Sequence, residues 1–268
     1  MDTQIKFLID NYGIDDQRTQ AWFAKRGEMI TASEVTKCFA DATQSARHDL
    51  IVSKLVAPKT NNGPPIGALI WGTRFEPIAK EIFCQTEKLT IKDLSCVRHP
   101  EHAFMGASPD GLLLSSDERN GRLIEIKCPI SRVFNNETSV PPQYYAQMQM
   151  QMECTQLNEC EYVEMGFKVI NYSEWFDSGA LKSCFAVSPT GDVNYKKIED
   201  DLYEWQKNLS DDWQVLFWVL KNWRNKLVPK DPEWMPTHFP EIKSTWEEII
   251  KHRESGTFPV LDKGILEL

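Results

Sequence analysis

PDGLLLSSDERNGRLIEIKC, residues 109–128, is the stretch of the chain that decides its fold. The short apolar run Gly111–Leu114 and the alternating, β-branched run Arg122–Cys128 are each typical of a strand. The seven residues between them, SSDERNG, end in Asn-Gly, a frequent sequence in turns that join two strands. The stretch therefore predicts a β-hairpin.

One face of this hairpin carries charge. Because alternate residues of a strand face the same side, Glu125 and Lys127 point together. The neighbouring Ile126 and Cys128 face the opposite, buried side. Charges on an apolar strand cost free energy unless they are paired, solvated or bound to a metal. Asp110, at the start of the partner strand, comes close enough to Glu125 for both carboxylates and a backbone carbonyl to hold Mg²⁺.

The chemistry that this arrangement predicts is hydrolysis of a phosphodiester. Mg²⁺, with Mn²⁺ as its substitute, would polarise the scissile phosphate and acidify a water, and a second ion about 3.5–4 Å away would stabilise the leaving oxygen. Lys127 would position the water or stabilise the developing charge. Taken alone, the pattern also describes an exposed Glu–Lys pair on an edge strand, with Asp110 as a turn residue.

Helical patterns lie upstream of the hairpin. Thr31 and Glu34 fit a capping box, which predicts a first helix from Thr31. Thr73 and Glu76 fit a second capping box, with Pro77 tolerated in the first turn of its helix. Glu76 lies at the edge of that helix's apolar stripe and is a candidate for a further metal ligand, although the capping box alone would account for it.

Periodicity and turn residues organise the rest of the chain. Helices are predicted at Tyr144–Thr155, Tyr195–Leu227 and Glu241–Arg253, a strand at Cys160–Ile170, and loops at Thr60–Pro65, Asn135–Pro142 and Pro229–Pro240. Strands flanked by helices predict a mixed α/β domain. Its core would span residues 1–195, and a helical C-terminal extension, residues 196–268, would pack on the same domain.

Composition and charge narrow the class of protein. No apolar run of the 268-residue chain approaches the roughly 18 residues that span a bilayer, and the N-terminus does not resemble a secretory signal. A cytoplasmic or nuclear protein that is not secreted is therefore predicted. The seven cysteines include no C-x-x-C pair, which favours buried free thiols over disulfides or a zinc ribbon.

The net charge of −9 argues against a protein that coats nucleic acid by bulk electrostatics. It leaves open a protein that holds DNA in a local basic groove and uses acidic residues to bind metal.

Five motifs resemble those of the phage lambda exonuclease family, the YqaJ-type viral recombinases. They are Arg26-Gly-Glu-Met-Ile-Thr-Ala-Ser-Glu-Val35, Trp71-Gly-Thr-Arg-Phe-Glu76, Gly106-Ala-Ser-Pro-Asp-Gly111, Glu125-Ile-Lys-Cys-Pro129 and Tyr145-Ala-Gln-Met-Gln149. They occur in the family's order across roughly residues 20–170. The resemblance implies a PD-(D/E)xK, restriction-endonuclease-like fold, processive 5′→3′ digestion of linear duplex DNA with Mg²⁺, and a ring-shaped homotrimer.

The resemblance also implies roles for individual residues. Asp110, Glu125 and the backbone carbonyl of Ile126 match metal ligands, Lys127 matches the catalytic lysine, and Glu76 matches the family's upstream active-site glutamate. The positions that hold the 5′-phosphate or nearby backbone are matched by Arg26, Ser33, Ser108 and, across a one-residue gap, Arg132. Gln147 matches the glutamine on the helix beside the active site.

Physical arguments support part of this assignment. Ser33 lies in the first turn of the helix capped by Thr31, where free N–H groups and the positive dipole end favour a phosphate. Arg26 could clamp that phosphate through two hydrogen bonds. The alternative is a surface serine and a solvated arginine. Gln147 shares a helix face with Tyr144 and Gln151, and the alternative there is a helix that leaves its glutamines in water.

Two further groups of residues favour structural roles. His99 and His102 have the spacing His-x-x-His but no accompanying cysteine ligands, which favours a loop or packing role over a metal site. For the C-terminal tryptophans we expect core or subunit contacts rather than base stacking. These residues are Trp205, Trp213, Trp218 and Trp223.

Three functions remain open at this point. The leading hypothesis is a 5′→3′ exonuclease that acts on linear duplex DNA in recombination or viral genome processing, with a single-strand annealing protein as a partner. The alternatives are a PD-(D/E)xK endonuclease with the same hairpin chemistry, and a non-catalytic DNA-binding or assembly protein on the same fold.

Overall fold

Helices and strands are both distributed along the chain in a computed structural model that describes residues 3–14, 17, 19–56 and 67–261. The helices are α1 (Thr3–Tyr12), α2 (Gln20–Gly27), a 3₁₀ helix (Ala32–Cys38), α3 (Gln44–Leu55), α4 (Ala68–Glu87), α5 (Pro142–Thr155), α6 (Tyr172–Asp177), α7 (Leu202–Gln206) and α8 (Trp234–Ser255). The strands are β1 (Ile30–Thr31), β2 (Thr90–Lys92), β3 (Val97–Arg98), β4 (Met105–Ala107), β5 (Gly111–Leu114), β6 (Leu123–Lys127), β7 (Glu159–Ile170), β8 (Lys182–Val187), β9 (Val193–Tyr195) and β10 (Gln214–Pro229).

Most of the described strands form one mixed sheet in the order β2-β5-β6-β7-β10-β8-β9, and β1, β4 and β3 form a smaller sheet. In the large sheet β6 and β7 are parallel, whereas the other neighbours are antiparallel. The prediction of a mixed α/β domain with a central mixed sheet flanked by helices is confirmed.

The hairpin predicted at residues 109–128 is present as β5 and β6. The two strands pair antiparallel, with Gly111 opposite Ile124 and Leu112 opposite Leu123. The helix and strand predicted after it are also present, as α5 and β7, within two residues of their predicted bounds.

The two faces of β6 meet different layers of the molecule. Ile124 and Ile126 are buried in a core cluster with the apolar stripe of α4. Leu123, on the opposite face, is buried with methionines of α5. Because alternate side chains share a face, Glu125 lies with Leu123 between the sheet and α5.

The starts of the upstream helices differ from the prediction. The capping box of Thr31 and Glu34 is present, but it caps a 3₁₀ helix, and α1 and α2 precede it. The capping box predicted at Thr73 is wrong, because α4 begins at Ala68 and carries Pro77 in its interior. Trp71 packs on Phe75 with ring centroids 4.5 Å apart, so the apolar stripe that stabilises α4 extends N-terminal to Thr73.

The largest correction concerns the C-terminal third. The helix predicted across Tyr195–Leu227, and with it the purely helical extension over residues 196–268, is wrong. This segment contains the long strand β10, which lies between β7 and β8 in the large sheet. Trp218, buried among aromatic side chains, pairs with β7 and β8 at once. Aromatic and β-branched residues favour a strand that has neighbours on both edges.

The helix at the C-terminal end of the described chain, α8, begins at Trp234 rather than Glu241. The predicted loop Pro229–Pro240 is therefore partly helical, with Pro240 inside α8. The predicted loop Thr60–Pro65 lies outside the described residues. Where the chain divides into a core and an extension stays a prediction.

The cysteines and histidines have the predicted structural roles. All seven cysteines are free, and six are buried. The Nδ1 atom of His99 accepts backbone hydrogen bonds from Glu101 and His102, and the ring of His102 packs against Phe239. Of the four tryptophans, Trp218 belongs to the core. Among the described residues, no helix has the length and apolarity to cross a membrane.

Candidate active site

Glu125 and Lys127 form an ion pair on β6, at the face that lies beneath α5. The carboxylate of Glu125 is completely buried. Lys127 Nζ contacts Oε1 of Glu125 and lies 4.8 Å from the centre of the Tyr144 ring. Burial opposes the charge of Lys127, but Glu125 and then Asp110 outweigh it and raise the pKa of the ammonium group. The hairpin therefore presents a lysine whose positive charge its carboxylate neighbours stabilise. Because Glu125 is buried, the alternative of an exposed Glu–Lys pair is wrong.

Asp110 is held beside this pair by the backbone of β6. Its Oδ2 atom accepts a hydrogen bond of 2.7 Å from the N–H of Ile126, and its own N–H donates to the carbonyl of Ile124. Burial, and then the negative charge of Glu125, raise the pKa of Asp110 to about 6. The structure thus brings Asp110, Glu125 and Lys127 into one electrostatically coupled group.

The metal-free stability should depend on pH through Asp110. Because the folded pKa of about 6 exceeds the ordinary aspartate pKa of 3.8, the folded state binds more protons than the unfolded state between these values. We expect the free energy of unfolding to fall as pH rises from about 4 to 6, and to stay lower above that window. In EDTA, Asp110→Asn should remove this dependence and raise stability at pH 8 by on the order of 1–3 kcal/mol. Urea denaturation across this pH range measures the free energy of unfolding. The same dependence of that free energy on pH in wild type and in Asp110→Asn would contradict the expectation.

A cavity of about 440 Å³ opens beside this group. Its walls include Lys127 and Tyr144, Glu76 from α4, and Arg132 from the loop after β6. Glu76 lies 3.6 Å from Lys80, one turn further along α4. The structure therefore places the predicted Glu76 at the same cavity as Lys127.

Lys80 is a member of the site that the sequence reasoning missed. Its Nζ atom donates a 2.9 Å hydrogen bond to Asp93. Burial opposes its charge, but Asp110 and then Glu76 outweigh burial and raise the pKa of Lys80. The sequence signal was the i,i+4 spacing from Glu76, which puts two residues on one helix face.

The oxygen donors present fit a hard divalent cation at the hairpin. Two carboxylates, of Asp110 and Glu125, adjoin the backbone of Ile126, and oxygen ligands of this type are those that Mg²⁺ takes. Oε1 of Glu125 is buried, and Lys127 Nζ is the group of the described residues that contacts it. Within the described ranges no three His, Cys, Asp or Glu side chains are grouped to hold a metal, and Glu76 as a ligand stays a prediction.

Three of the four residues predicted to bind a 5′-phosphate come together in a second cluster. Arg26 donates hydrogen bonds to Ser33 Oγ at 2.9 Å and to Ser108 Oγ at 3.4 Å. The guanidinium also lies 4.3 Å from the centre of the Trp22 ring, and Trp22 Nε1 donates to Ser108 Oγ. Because Ser108 precedes Asp110 by two residues, this cluster and the carboxylates share one short segment of chain.

Arg132, the fourth, makes different contacts. Its guanidinium donates to the hydroxyl of Tyr162 at 2.9 Å and forms an ion pair with Glu164. Glu164 also pairs with Arg224 of β10 at 2.8 Å, and both of these side chains are buried. Arg132 therefore lines the cavity of Lys127 rather than contacting the serines.

The loop that carries Arg132 is fastened to the sheet by Arg224. The guanidinium of Arg224 donates to the backbone carbonyls of Asn135, Thr138 and Ser139. One buried arginine from β10 thereby fixes the connection between β6 and α5, which forms one wall of the cavity. The sequence reasoning missed this residue because it assigned β10 to a helix.

The glutamine of α5 that contacts a site carboxylate is Gln151, one helical turn after Gln147. Gln151 Nε2 donates a 2.6 Å hydrogen bond to Oε2 of Glu125. Gln147 lies on the same helix face and is half-buried. Sequence spacing had put both on that face, and the alternative of glutamines left in water is wrong for Gln151.

The fold and site together define the class of protein, a mixed α/β chain of the alkaline exonuclease fold. A crystal structure of an alkaline exonuclease, LHK-Exo, from Laribacter hongkongensis superposes with a TM-score of 0.56 and 21% identity, over 88% of this chain and 95% of that one. The structure of LHK-Exo in complex with dAMP gives the same TM-score and coverage, with 24% identity.

The sequence places the chain more narrowly. The family model of the YqaJ-like viral recombinase domain matches residues 21–158, which is more than half of the 268-residue chain. The chain belongs to this family. Uncharacterized protein R354 from Acanthamoeba polyphaga mimivirus is a relative of this chain. The two are 26% identical over 176 residues, or 60% of this chain. The matched part is only 31% of that relative's length.

Proposed function

We propose that the chain is a Mg²⁺-dependent 5′→3′ exonuclease that degrades one strand of linear double-stranded DNA from a 5′-phosphorylated end. The observation that carries the proposal is the coupled group of Asp110, Glu125 and Lys127 beside the Arg26 cluster. A hydrolytic centre and an anion pocket so close in the chain suit a substrate that is held by its terminal phosphate. The product would be a 3′ single strand for recombination or viral genome processing.

In this proposal the hairpin holds the cation and the lysine acts on the phosphate. Asp110, Glu125 and the carbonyl of Ile126 would bind Mg²⁺, or Mn²⁺ in its place, with a second ion nearby. The cation would supply polarisation of the scissile phosphate and a more acidic bound water. Lys127, charged and aimed into the cavity, stabilises negative charge that develops on the phosphate. Glu76 is proposed as a further ligand from α4.

The Arg26 cluster would hold the terminal phosphate. Arg26 is preorganised by its stack on Trp22 and offers two nitrogens on the side of Ser33 and Ser108. A planar guanidinium with hydroxyl groups beside it is a chemistry that binds phosphate. Arg132, in the cavity of Lys127, would contact the backbone nearer the scissile bond, and Gln147 would support the site from α5.

Arg26→Ala should impair digestion selectively for 5′-phosphorylated ends. We expect about a 10- to 100-fold loss on a linear duplex with 5′-phosphates and a much smaller loss on the same duplex with 5′-hydroxyl ends, because a charged hydrogen bond is worth about 1.5–3 kcal/mol. Initial rates on the two substrates measure it. Arg98→Ala, which removes a half-buried arginine paired with the exposed Glu28, is the control. Equal losses on both ends for Arg26→Ala would refute the pocket.

The test of the whole proposal is substrate topology and strand polarity. A linear duplex labelled at each end in turn, incubated with Mg²⁺, should lose the 5′-terminal strand progressively, whereas a closed circular duplex should survive. Rapid cutting of the circle would favour the PD-(D/E)xK endonuclease. Absence of any hydrolysis, with DNA binding retained, would favour a non-catalytic DNA-binding or assembly protein.

Assembly and partners form a separate part of the proposal. Membership of the family supports a homotrimeric ring around DNA and a single-strand annealing protein as the partner that receives the 3′ strand. The site of action would be wherever that DNA is processed, in the cytoplasm or nucleus of the host cell. Light scattering coupled to gel filtration would give the stoichiometry, and a mass of one or two chains would exclude the ring.

A further inference from the structure

Both oxygens of the Glu125 carboxylate are committed in different ways. Oε1 faces Lys127 Nζ. Oε2 accepts the 2.6 Å hydrogen bond from Gln151 Nε2, and both side chains are completely buried. A buried carboxylate needs such partners to offset the cost of its desolvation. Gln151 thus reaches the centre of the site without lining the cavity.

The amide of Gln151 has one orientation open to it. An ionised carboxylate only accepts hydrogen bonds, so the NH₂ group must face Glu125 and the amide oxygen must face away. That amide oxygen is buried and has no hydrogen-bond partner among the described residues. The side chain therefore leaves one of its polar atoms unsatisfied while it serves Oε2 of Glu125, which is unusual for a residue that only fills space.

The two glutamines that precede Gln151 most closely on α5, Gln147 and Gln149, differ from it. Gln149 Oε1 accepts a hydrogen bond from the N–H of Asp231, and Gln149 Nε2 donates one to the carbonyl of Pro229. These two hydrogen bonds join α5 to the end of β10. Gln147 is half-buried one turn before Gln151. Three glutamines two residues apart thus have separate surroundings, and Gln151 is the one that donates to Glu125.

We propose that Gln151 is a positioning residue for the cation site. By holding Oε2 it fixes the plane of the carboxylate that would bind the cation. Hydrogen bonds from outside the ligand set commonly orient carboxylate ligands, and removal of such a donor weakens metal binding by about 10–100-fold. This inference rests on the proposed function, because it takes Glu125 to be a ligand.

The experiment measures Mn²⁺ binding to the full chain by calorimetry without DNA. Gln151→Met keeps the length of the side chain and its preference for helix but removes the donor. We expect its Mn²⁺ dissociation constant to rise about 10–100-fold. In steady-state digestion the Mn²⁺ concentration for half-maximal rate should rise in parallel, whereas the rate at saturating Mn²⁺ should change less.

Gln149→Met is the matched control. It removes a buried glutamine from the same helix, so it should lower the melting temperature but leave Mn²⁺ affinity unchanged. If Gln151→Met does not fold, Gln151→Asn, which keeps the amide but is too short to reach Oε2, takes its place with the same expected loss.

Glu125→Gln separates the two levels of inference. If the wild-type chain binds Mn²⁺ and Glu125→Gln does not, the cation site is upheld. Wild-type affinity in the Gln151 variant then overturns the positioning role alone. Affinity that is absent from wild type, or unaffected by Glu125→Gln, overturns the proposed cation site and the positioning role with it.

Discussion

Lys127→Ala should lower the single-turnover rate on a linear duplex by on the order of 10²–10⁴-fold, the range found when a positioned charge or proton-transfer group is removed. The geometry gives the reason. The ammonium group is held over Tyr144 and against Glu125, so its charge is fixed at the cavity before substrate arrives. Stabilisation that needs no reorganisation at the moment of reaction is the kind that accelerates a chemical step.

The same variant should keep its DNA and cation affinity largely intact. The Arg26 cluster does not depend on Lys127, and the substitution removes none of the proposed cation ligands. Mn²⁺ calorimetry and DNA binding in Ca²⁺ would show both properties. Lys207→Ala, which removes an exposed lysine paired with Glu204, is the control for loss of one positive charge. Digestion by Lys127→Ala at the wild-type rate would remove the catalytic role of the hairpin.

Arg224→Met should destabilise the fold by about 3–5 kcal/mol, the usual result of removing one partner of a buried ion pair. The side chains of Arg224 and Glu164 are 1% and 0% exposed. Without Arg224, one of the two cations that flank Glu164 is lost, and the carbonyls of Asn135, Thr138 and Ser139 lose their donor. Buried groups left without partners carry the full cost of desolvation.

Chemical denaturation in urea measures this effect. Lys243→Met supplies the comparison, because it removes one partner of an ion pair whose side chains are 55% and 65% exposed. Such pairs contribute about 0–1 kcal/mol. A loss for Arg224→Met no larger than that for Lys243→Met would mean that the buried pair does not anchor the loop.

The hairpin could be predicted from sequence because its determinants are local. Gly111–Leu114 and Arg122–Cys128 carry strand patterns, the turn between them carries its own residues, and alternation sorts Glu125 from Ile126 without reference to the rest of the chain. The capping box at Thr31 is equally local. Its presence on a 3₁₀ helix shows that a cap marks where a helix begins but not which kind follows.

β10 could not be predicted in the same way. Its apolar and aromatic residues pack on both sides of the sheet, so they show neither clean alternation nor a helical stripe, and Trp218 acquires its strand neighbours from residues 169 and 183. Long-range pairing of this kind overrides local preference. The start of α4 was misplaced for a related reason, since packing of Trp71 extends the helix beyond its apparent cap.

The residues of the site also fall into those that local sequence predicts and those that only long-range contacts determine. The motifs that resemble the family located Asp110, Glu125 and Lys127 and gathered Arg26, Ser33 and Ser108, all of which the structure brings into two adjoining groups. Spacing puts Lys80 on the helix face of Glu76 and Gln151 on that of Gln147. The contacts that Lys80, Gln151 and Glu164 make were not predictable, because their partners Asp93, Glu125 and Arg224 lie on other elements. Arg132 was expected with the serines and instead lies against Glu164 and Tyr162.

The insertion of β10 between β7 and β8 also bears on how the protein is made. A ribosome releases β6, β7 and β8 well before β10. The growing chain therefore already contains the hairpin of the site, whereas the edges of β7 and β8 that pair with β10 are still unpaired. Arg224 reaches the loop after β6 only once β10 has docked. Nascent or prematurely terminated chains would thus lack an ordered cavity wall, and hydrolytic competence would arrive late in synthesis. Pairings this remote in sequence also favour slow folding.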